Sequence, residues 1–172
     1  MKYAVSCTTR ARRKDEVDGR DYRFLDTSTF ERWIEEARFV EWAIYQGSHY
    51  GTLKEELESP LREGIDVIAD LEIQGATKLM GLYPYGVFIY LLPPSKEELR
   101  RRLEKRRSET QEETENRLRV AEEELSHAKE YGYIVVNKVF DTTVDSIVSI
   151  VKAERLKSDR LPDPSDIIKW AS

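Results

Sequence analysis

Three short apolar runs, separated by stretches with helical periodicity, constrain the fold more than any other feature of the sequence. They are Ile65–Ala69, Gly86–Leu92 and Tyr133–Val136. Apolar runs without alternation are typical of parallel strands that are buried on both faces. The helices predicted between them favour an α/β fold in three layers, with helices flanking a parallel sheet.

The part of the chain before these runs has a different pattern. Tyr3–Cys7 is predicted to be a short strand, and a basic loop follows it. Phe39–Tyr45 and His49–Thr52 flank a Gln46-Gly47-Ser48 turn, which predicts an antiparallel hairpin. Asp26 or Ser28 is expected to cap a helix before this hairpin. Residues 21–52 are therefore expected to form a small antiparallel lobe.

Composition excludes several classes of protein. The 172 residues carry 28 basic and 33 acidic side chains, a formal charge of −5, so general attraction to nucleic acid or to a membrane is not expected. The only cysteine is Cys7, and two histidines do not make a zinc site. No apolar stretch approaches the length of a membrane span. We expect a soluble, cytoplasmic protein.

A basic loop close to the N-terminus is a candidate anion site. Arg10 and Arg13 could present planar forks to a phosphate, with hydroxyl donors from Tyr22 and Tyr50. Arg12 and Lys14 add charge to the same loop. Taken alone, such a loop is also typical of a solvated basic surface.

Four motifs place polar and aromatic residues at fixed spacing in the first third of the chain. They are Ser6-x-Thr8-Thr9-Arg10-x-x-Arg13, Glu16-Val17-Asp18-Gly19-x-Asp21-Tyr22-x-Phe24, Phe39-Val40-Glu41-Trp42-Ala43 and Tyr50-Gly51-Thr52. Their order and spacing resemble those of guanylate kinases. The resemblance continues through Asp70-x-x-x-Gln74-Gly75, Pro93-Pro94-Ser95 and Val135-Val136-Asn137, and covers roughly residues 3–155.

The resemblance implies a set of residues that bind GMP. It assigns the GMP phosphate to Arg10, Arg13, Tyr22 and Tyr50, and guanine to Ser6, Glu41, Thr52 and Glu72. The chemistry agrees, because the N1–H and N2–H donors of guanine suit the Glu41 carboxylate and its O6 acceptor suits the Thr52 hydroxyl. Adenine would leave that buried carboxylate unpaired.

Each of these residues also has a plainer interpretation. Tyr22 and Tyr50 could be strand aromatics, Glu41 a surface residue of a strand, and Thr52 the cap of the helix that follows. The family usually has aspartate where this chain has Glu72. The joint spacing of all four motifs favours the nucleotide site.

The resemblance also implies a lid over the phosphate that is transferred. Arg106 and Arg117 match the two lid arginines, within a lid region at 95–130, although an arginine-rich helix is most often a solvated face. Asp70 matches an acidic position that faces the magnesium side of the site, with a strand-end cap as the alternative. Residues 1–156 are expected to form the guanylate kinase-like domain, followed by a tail at 157–172.

One part of the family pattern is missing from the sequence. ATP binding in this family uses G-x-x-x-x-G-K-[ST], and none of the eight glycines is followed by lysine. We expect the first strand, the P-loop and the first helix of the family fold to be missing. The sheet is then expected to close the gap or to take a strand from another chain, with some tendency to form a homo-oligomer.

The sequence therefore predicts GMP as a ligand, with ATP and magnesium as further partners if the chain is active. The donor site is incomplete, so the chain alone is expected to be weakly active or inactive. The alternative is a binding module, like the scaffold domains of membrane-associated guanylate kinase proteins, which bind peptides that are often phosphorylated. An RNA-binding role has only the two arginine clusters in its favour.

Overall fold

The structure is a computed structural model that describes residues 1–105 and 111–160, except for the side chains of 111–113. It is a mixed α/β fold with six α-helices in the described part of the chain. The described residues divide into two compact units, Met1–Gly86 and a second unit that begins at Val87.

The first unit contains six strands and three helices. The strands are β1 (Lys2–Tyr3), β2 (Cys7–Thr8), β3 (Arg23–Phe24), β4 (Phe39–Tyr45), β5 (Ser48–Leu53) and β6 (Val67–Ile68). The helices are α1 (Thr27–Glu35), α2 (Lys54–Arg62) and α3 (Ile73–Leu82). Four of the strands form one sheet in the order β3-β2-β5-β4, and β1 pairs with β6.

The predicted hairpin is confirmed as β4 and β5. Its turn contains Gln46 at φ 48° and Gly47 at φ 77°, so two successive residues adopt the left-handed backbone that tight hairpin turns require. The antiparallel register then places Glu41 opposite Thr52 and Trp42 opposite Gly51. The local turn chemistry thus sets which side chains meet on this sheet.

The four-stranded sheet packs on α1 through a small apolar core. Phe30 and Phe39 stack with ring centroids 4.3 Å apart, and Cys7 and Leu53 are fully buried beside them. The predicted cap is Asp26, whose carboxylate accepts a hydrogen bond from the backbone N–H of Thr29 at 2.7 Å. This core holds β2, β4 and β5 together.

The prediction of one strand at Tyr3–Cys7 is wrong in one respect, because the segment divides between two sheets. β1 pairs in parallel with β6, whereas β2 pairs antiparallel with β5. Ala4 and Ser6 are buried where the chain crosses from one sheet to the other. Ser6 therefore lies at the junction of the two sheets.

The second unit contains strands β7 (Ile89–Leu92) and β8 (Tyr133–Val136) with helices α4 (Lys96–Lys105), α5 (Gln111–Glu124) and α6 (Phe140–Arg155). A 3₁₀ helix at Leu125–Glu130 follows α5. Ion pairs join α4 to α5, among them Arg100 to Glu115 at 2.6 Å. Ser95 caps α4, since its hydroxyl accepts from the backbone N–H of Glu98 at 3.2 Å.

The single parallel sheet that the sequence predicts is not observed in the described residues. Two pairs of parallel strands, β1–β6 and β7–β8, form separate two-stranded sheets, and a third parallel pair, β2–β3, lies within the four-stranded sheet. In the part of the chain that the structure describes, no third strand joins either two-stranded sheet. Each strand of these two sheets is therefore hydrogen-bonded along one edge only. In residues 1–105 and 111–160, no helix is long and apolar enough to cross a membrane.

Candidate functional site

Three of the four residues predicted to bind guanine come together on the four-stranded sheet. Glu41 on β4 lies opposite Thr52 on β5, and the Ser6 and Thr52 hydroxyl oxygens are 3.3 Å apart. Their relative exposures are 6% for Glu41, 0% for Thr52 and 9% for Ser6. The surface-residue interpretation of Glu41 is therefore wrong, because its side chain is buried next to two hydroxyl groups.

The surroundings of the Glu41 carboxyl disfavour its ionised form. Burial raises its pKa, while the hydroxyl and backbone of Thr52 and the charge of Lys78 act in the opposite direction. Lys78 on α3 donates a hydrogen bond to the Trp42 carbonyl, and its ammonium nitrogen lies 5.2 Å from the centroid of the Trp42 ring. A buried carboxylate with few opposing charges is suited to accept two N–H groups of a ligand.

Three residues predicted to bind phosphate form a second cluster in the same unit. The guanidinium carbon of Arg10 lies 5.6 Å from the ring centroid of Tyr22, and the Tyr22 and Tyr50 rings are 6.0 Å apart in an edge contact. Burial, and then the charge of Asp70, raise the pKa of Tyr22 to about 12, so its hydroxyl stays a donor at neutral pH. The cluster combines one fixed cation with tyrosine hydroxyl groups.

Glu16 joins Arg13 to this cluster by accepting hydrogen bonds from both Arg10 and Arg13, a role that the sequence did not reveal. Its carboxylate accepts hydrogen bonds from both terminal nitrogens of Arg10, at 2.6 and 3.1 Å, and from the backbone N–H of Arg13, at 2.7 Å. Burial opposes its ionisation, but these hydrogen bonds outweigh burial and lower the pKa of Glu16. The available signal was its place at the start of the second motif, three positions after Arg13.

The other two cations of the loop do not belong to this cluster. Arg12 and Lys14 are exposed, whereas Arg10, Arg13 and Glu16 are half-buried. The solvated-surface interpretation thus holds for Arg12 and Lys14. The side chains of Arg10 and Glu16 are joined by two hydrogen bonds, and Arg13 Nη1 lies 3.9 Å from Glu16 Oε1.

Two acidic residues follow β6 and act on the tyrosines. Asp70 is exposed, and its charge contributes to the raised pKa of both Tyr22 and Tyr3. Glu72 occupies the N-cap position of α3 and contributes to the pKa of Tyr22. Among the described residues, no group of three or more His, Cys, Asp or Glu side chains is arranged to hold a metal ion.

The structure describes only one of the two predicted lid arginines. Arg106 lies outside the described residues. Arg117 is half-buried on α5, in the unit that begins at Val87. All other predicted site residues lie in the first unit, Met1–Gly86.

Comparison with known proteins gives one consistent result. The family model described as guanylate kinase matches residues 1–154. A guanylate kinase of Caldanaerobacter subterraneus subsp. tengcongensis is 45% identical over 163 residues, 95% of this chain and 79% of the relative. One from Thermotoga maritima is 42% identical over 97% of this chain and 81% of the relative.

A solved structure agrees with these relatives. The crystal structure of guanylate kinase from Anaplasma phagocytophilum matches with a TM-score of 0.83 and 34% sequence identity, over 97% of this chain and 82% of that chain. The names of these relatives do not favour the scaffold interpretation. The chain belongs to the guanylate kinase family.

Proposed function

We propose that this protein binds GMP as the phosphate acceptor of a guanylate kinase reaction. The observation that carries the proposal is the buried Glu41 carboxylate opposite Thr52. In the bound state, the carboxylate accepts from N1–H and N2–H of guanine while a hydroxyl donates to O6. Ser6 hydrogen-bonds with Thr52 and completes this edge of the site.

The phosphate of GMP would bind at the second cluster. Arg10 and Arg13 supply charge and hydrogen-bond donors. Tyr22, just before β3, and Tyr50 on β5 supply hydroxyl groups. Glu16 already holds the Arg10 fork in place, so little side-chain entropy is lost when phosphate arrives. Glu72 is the remaining candidate for the guanine edge, at the start of α3.

The reaction of the family transfers a phosphoryl group from ATP to GMP. We propose that residues 1–156 form the kinase-like domain and that Arg106 and Arg117 belong to its lid. There the two arginines would neutralise charge on the transferred phosphoryl group. Asp70 fits a magnesium site only as a single carboxylate, which suits an ion that arrives with ATP phosphates and keeps most of its waters. Magnesium would supply charge neutralisation there.

The motif G-x-x-x-x-G-K-[ST] does not occur in residues 1–172, so low turnover is the expected result for a polypeptide of these residues alone. The loss of an amide cradle and its lysine should cost several orders of magnitude in rate. A coupled assay with magnesium, ATP and GMP measures this directly, with Arg117→Met as the background. Turnover at the rate typical of kinases, about 1–100 per second, would contradict the proposal of an incomplete donor site.

We also infer that the two-stranded sheets β1–β6 and β7–β8 tend to pair with a strand of another chain. Large apolar residues on both pairs are exposed, including Ile68, Leu91 and Ile134. Strands with an unpaired apolar edge tend to add a further strand. Sedimentation is expected to show self-association that grows with concentration. A clean monomer at high concentration would rule this inference out.

A further inference from the structure

Gly75 occupies a position where a side chain would collide with the guanine-binding carboxylate. It is buried in the first turn of α3. A Cβ added there would lie 2.4 Å from Oε2 and 3.0 Å from Cδ of Glu41. These distances are shorter than nonbonded contacts allow, so even alanine would require Glu41 or α3 to move.

Glu41 has little room to move away from such a contact. Its side chain is 6% exposed, and Thr52 lies directly across the sheet. Its main chain also packs closely against β5, since a Cβ at Gly51 would meet the Glu41 carbonyl oxygen at 3.0 Å. Two glycines thus leave space for the same residue, Gly51 for its main chain and Gly75 for its carboxylate.

The helix that carries Gly75 is fixed against β4 on the same face. Lys78 lies one turn later, where residues three apart share a helix face. It donates to the Trp42 carbonyl, next in sequence to Glu41, and its charge favours the ionised form of Glu41. The first turn of a helix also favours a negative group nearby.

We propose that Gly75 is a specificity-determining positioning residue of the GMP site. Its missing side chain sets the depth of the Glu41 carboxylate, so that both oxygens can accept from guanine, one from N1–H and one from N2–H. Gly75 does not contact the base itself. The inference rests on the proposed function, since it assumes that Glu41 binds guanine.

The test compares GMP with IMP, whose base keeps N1–H but lacks the N2 amino group. In Gly75→Ala, a displaced carboxylate keeps at most one of the two bonds. We expect GMP binding to weaken at least tenfold, and the GMP-to-IMP affinity ratio to fall at least fivefold. A purely structural defect would weaken both ligands equally and leave the ratio unchanged.

The chain offers a matched control in the same helix. Gly81 lies in α3, and an added Cβ there would have nothing within 4 Å. Gly81→Ala is therefore expected to keep both affinities and their ratio, with unfolding temperature unchanged or raised. An equal loss of the ratio in Gly81→Ala would overturn the proposal.

A second variant keeps the test decisive if Gly75→Ala does not fold. Gly75→Ala combined with Glu41→Asp shortens the acid by one methylene and makes room for the new methyl group. This double variant is expected to fold and to regain part of the GMP-to-IMP ratio. If it folds without any preference for GMP, or if neither variant folds, Gly75 serves packing alone and the proposal is wrong.

The proposed function and this inference fail in different ways. A parent chain that does not bind GMP refutes the proposed function. A parent chain that prefers GMP to IMP, together with an unchanged ratio in Gly75→Ala, refutes only the role of Gly75.

Discussion

Glu41→Gln is expected to lose its preference for guanine while the folded chain becomes more stable at neutral pH. The variant offers an amide N–H₂ and one oxygen where guanine requires two acceptors. A hydrogen bond to a charged group contributes about 1.5–3 kcal/mol, so GMP binding should fall about 10-fold or more. Titration calorimetry with GMP measures this loss.

The gain in stability follows from the raised pKa of Glu41, for which burial is the main cause. A carboxyl whose pKa is higher in the folded state stabilises the fold at low pH, and that contribution is lost as pH rises through the folded pKa. Glutamine has no charge to bury, so the variant should unfold at a higher temperature at pH 7. The difference from the parent should shrink as pH falls and Glu41 takes up a proton.

A neutral surface change provides the control for both effects. Glu31 is exposed on α1, and Glu31→Gln should change neither GMP affinity nor unfolding temperature. If Glu41→Gln unfolds at a lower temperature than the parent at pH 7, the buried carboxylate stabilises the fold and is not a strained binding group.

Arg10→Met is expected to remove most of the affinity for the phosphate and to leave the affinity for guanosine unchanged. The variant removes the fork next to Tyr22 and leaves the Glu16 carboxylate, a negative charge, without its main partner. Both changes disfavour a phosphate, so a loss of about 100-fold in GMP binding is expected. Parallel titrations with GMP and guanosine separate the two halves of the ligand.

Arg12→Met is the matched control, because Arg12 is exposed two residues away in the same loop. Its effect should be small and should disappear as salt increases. Glu16→Gln separates the effect of net charge from the effect of Arg10 positioning, because the two change GMP affinity in opposite directions. If charge alone mattered, removing an acid would tighten GMP binding, whereas loss of the Arg10 support should weaken it. Equal losses in Arg10→Met and Arg12→Met would contradict a defined phosphate cluster.

The local parts of the fold could be predicted from the sequence because short-range chemistry determines them. The Gln46-Gly47 turn fixes the β4–β5 register, and that register alone brings Glu41 opposite Thr52. The cap at Asp26 is equally local. Motif spacing therefore identified residues that the structure brings together, including Arg10, Tyr22 and Tyr50.

Features that depend on packing between distant segments could not be predicted in the same way. An apolar run does not reveal that Tyr3–Cys7 divides between two sheets, because both halves are equally extended. The role of Glu16 depends on how the loop folds back on itself. The role of Gly75 depends on a carboxylate 34 positions earlier in the chain. Both residues lie in motifs shared with the family, but motif spacing does not show which side chains they contact.

Titration calorimetry of the unmodified chain with GMP and with AMP tests the central claim most directly. We expect micromolar binding of GMP, and binding of AMP weaker by about 100-fold or more, because adenine leaves the buried Glu41 without a donor. Equal affinity for the two nucleotides, or no binding of GMP, would contradict it.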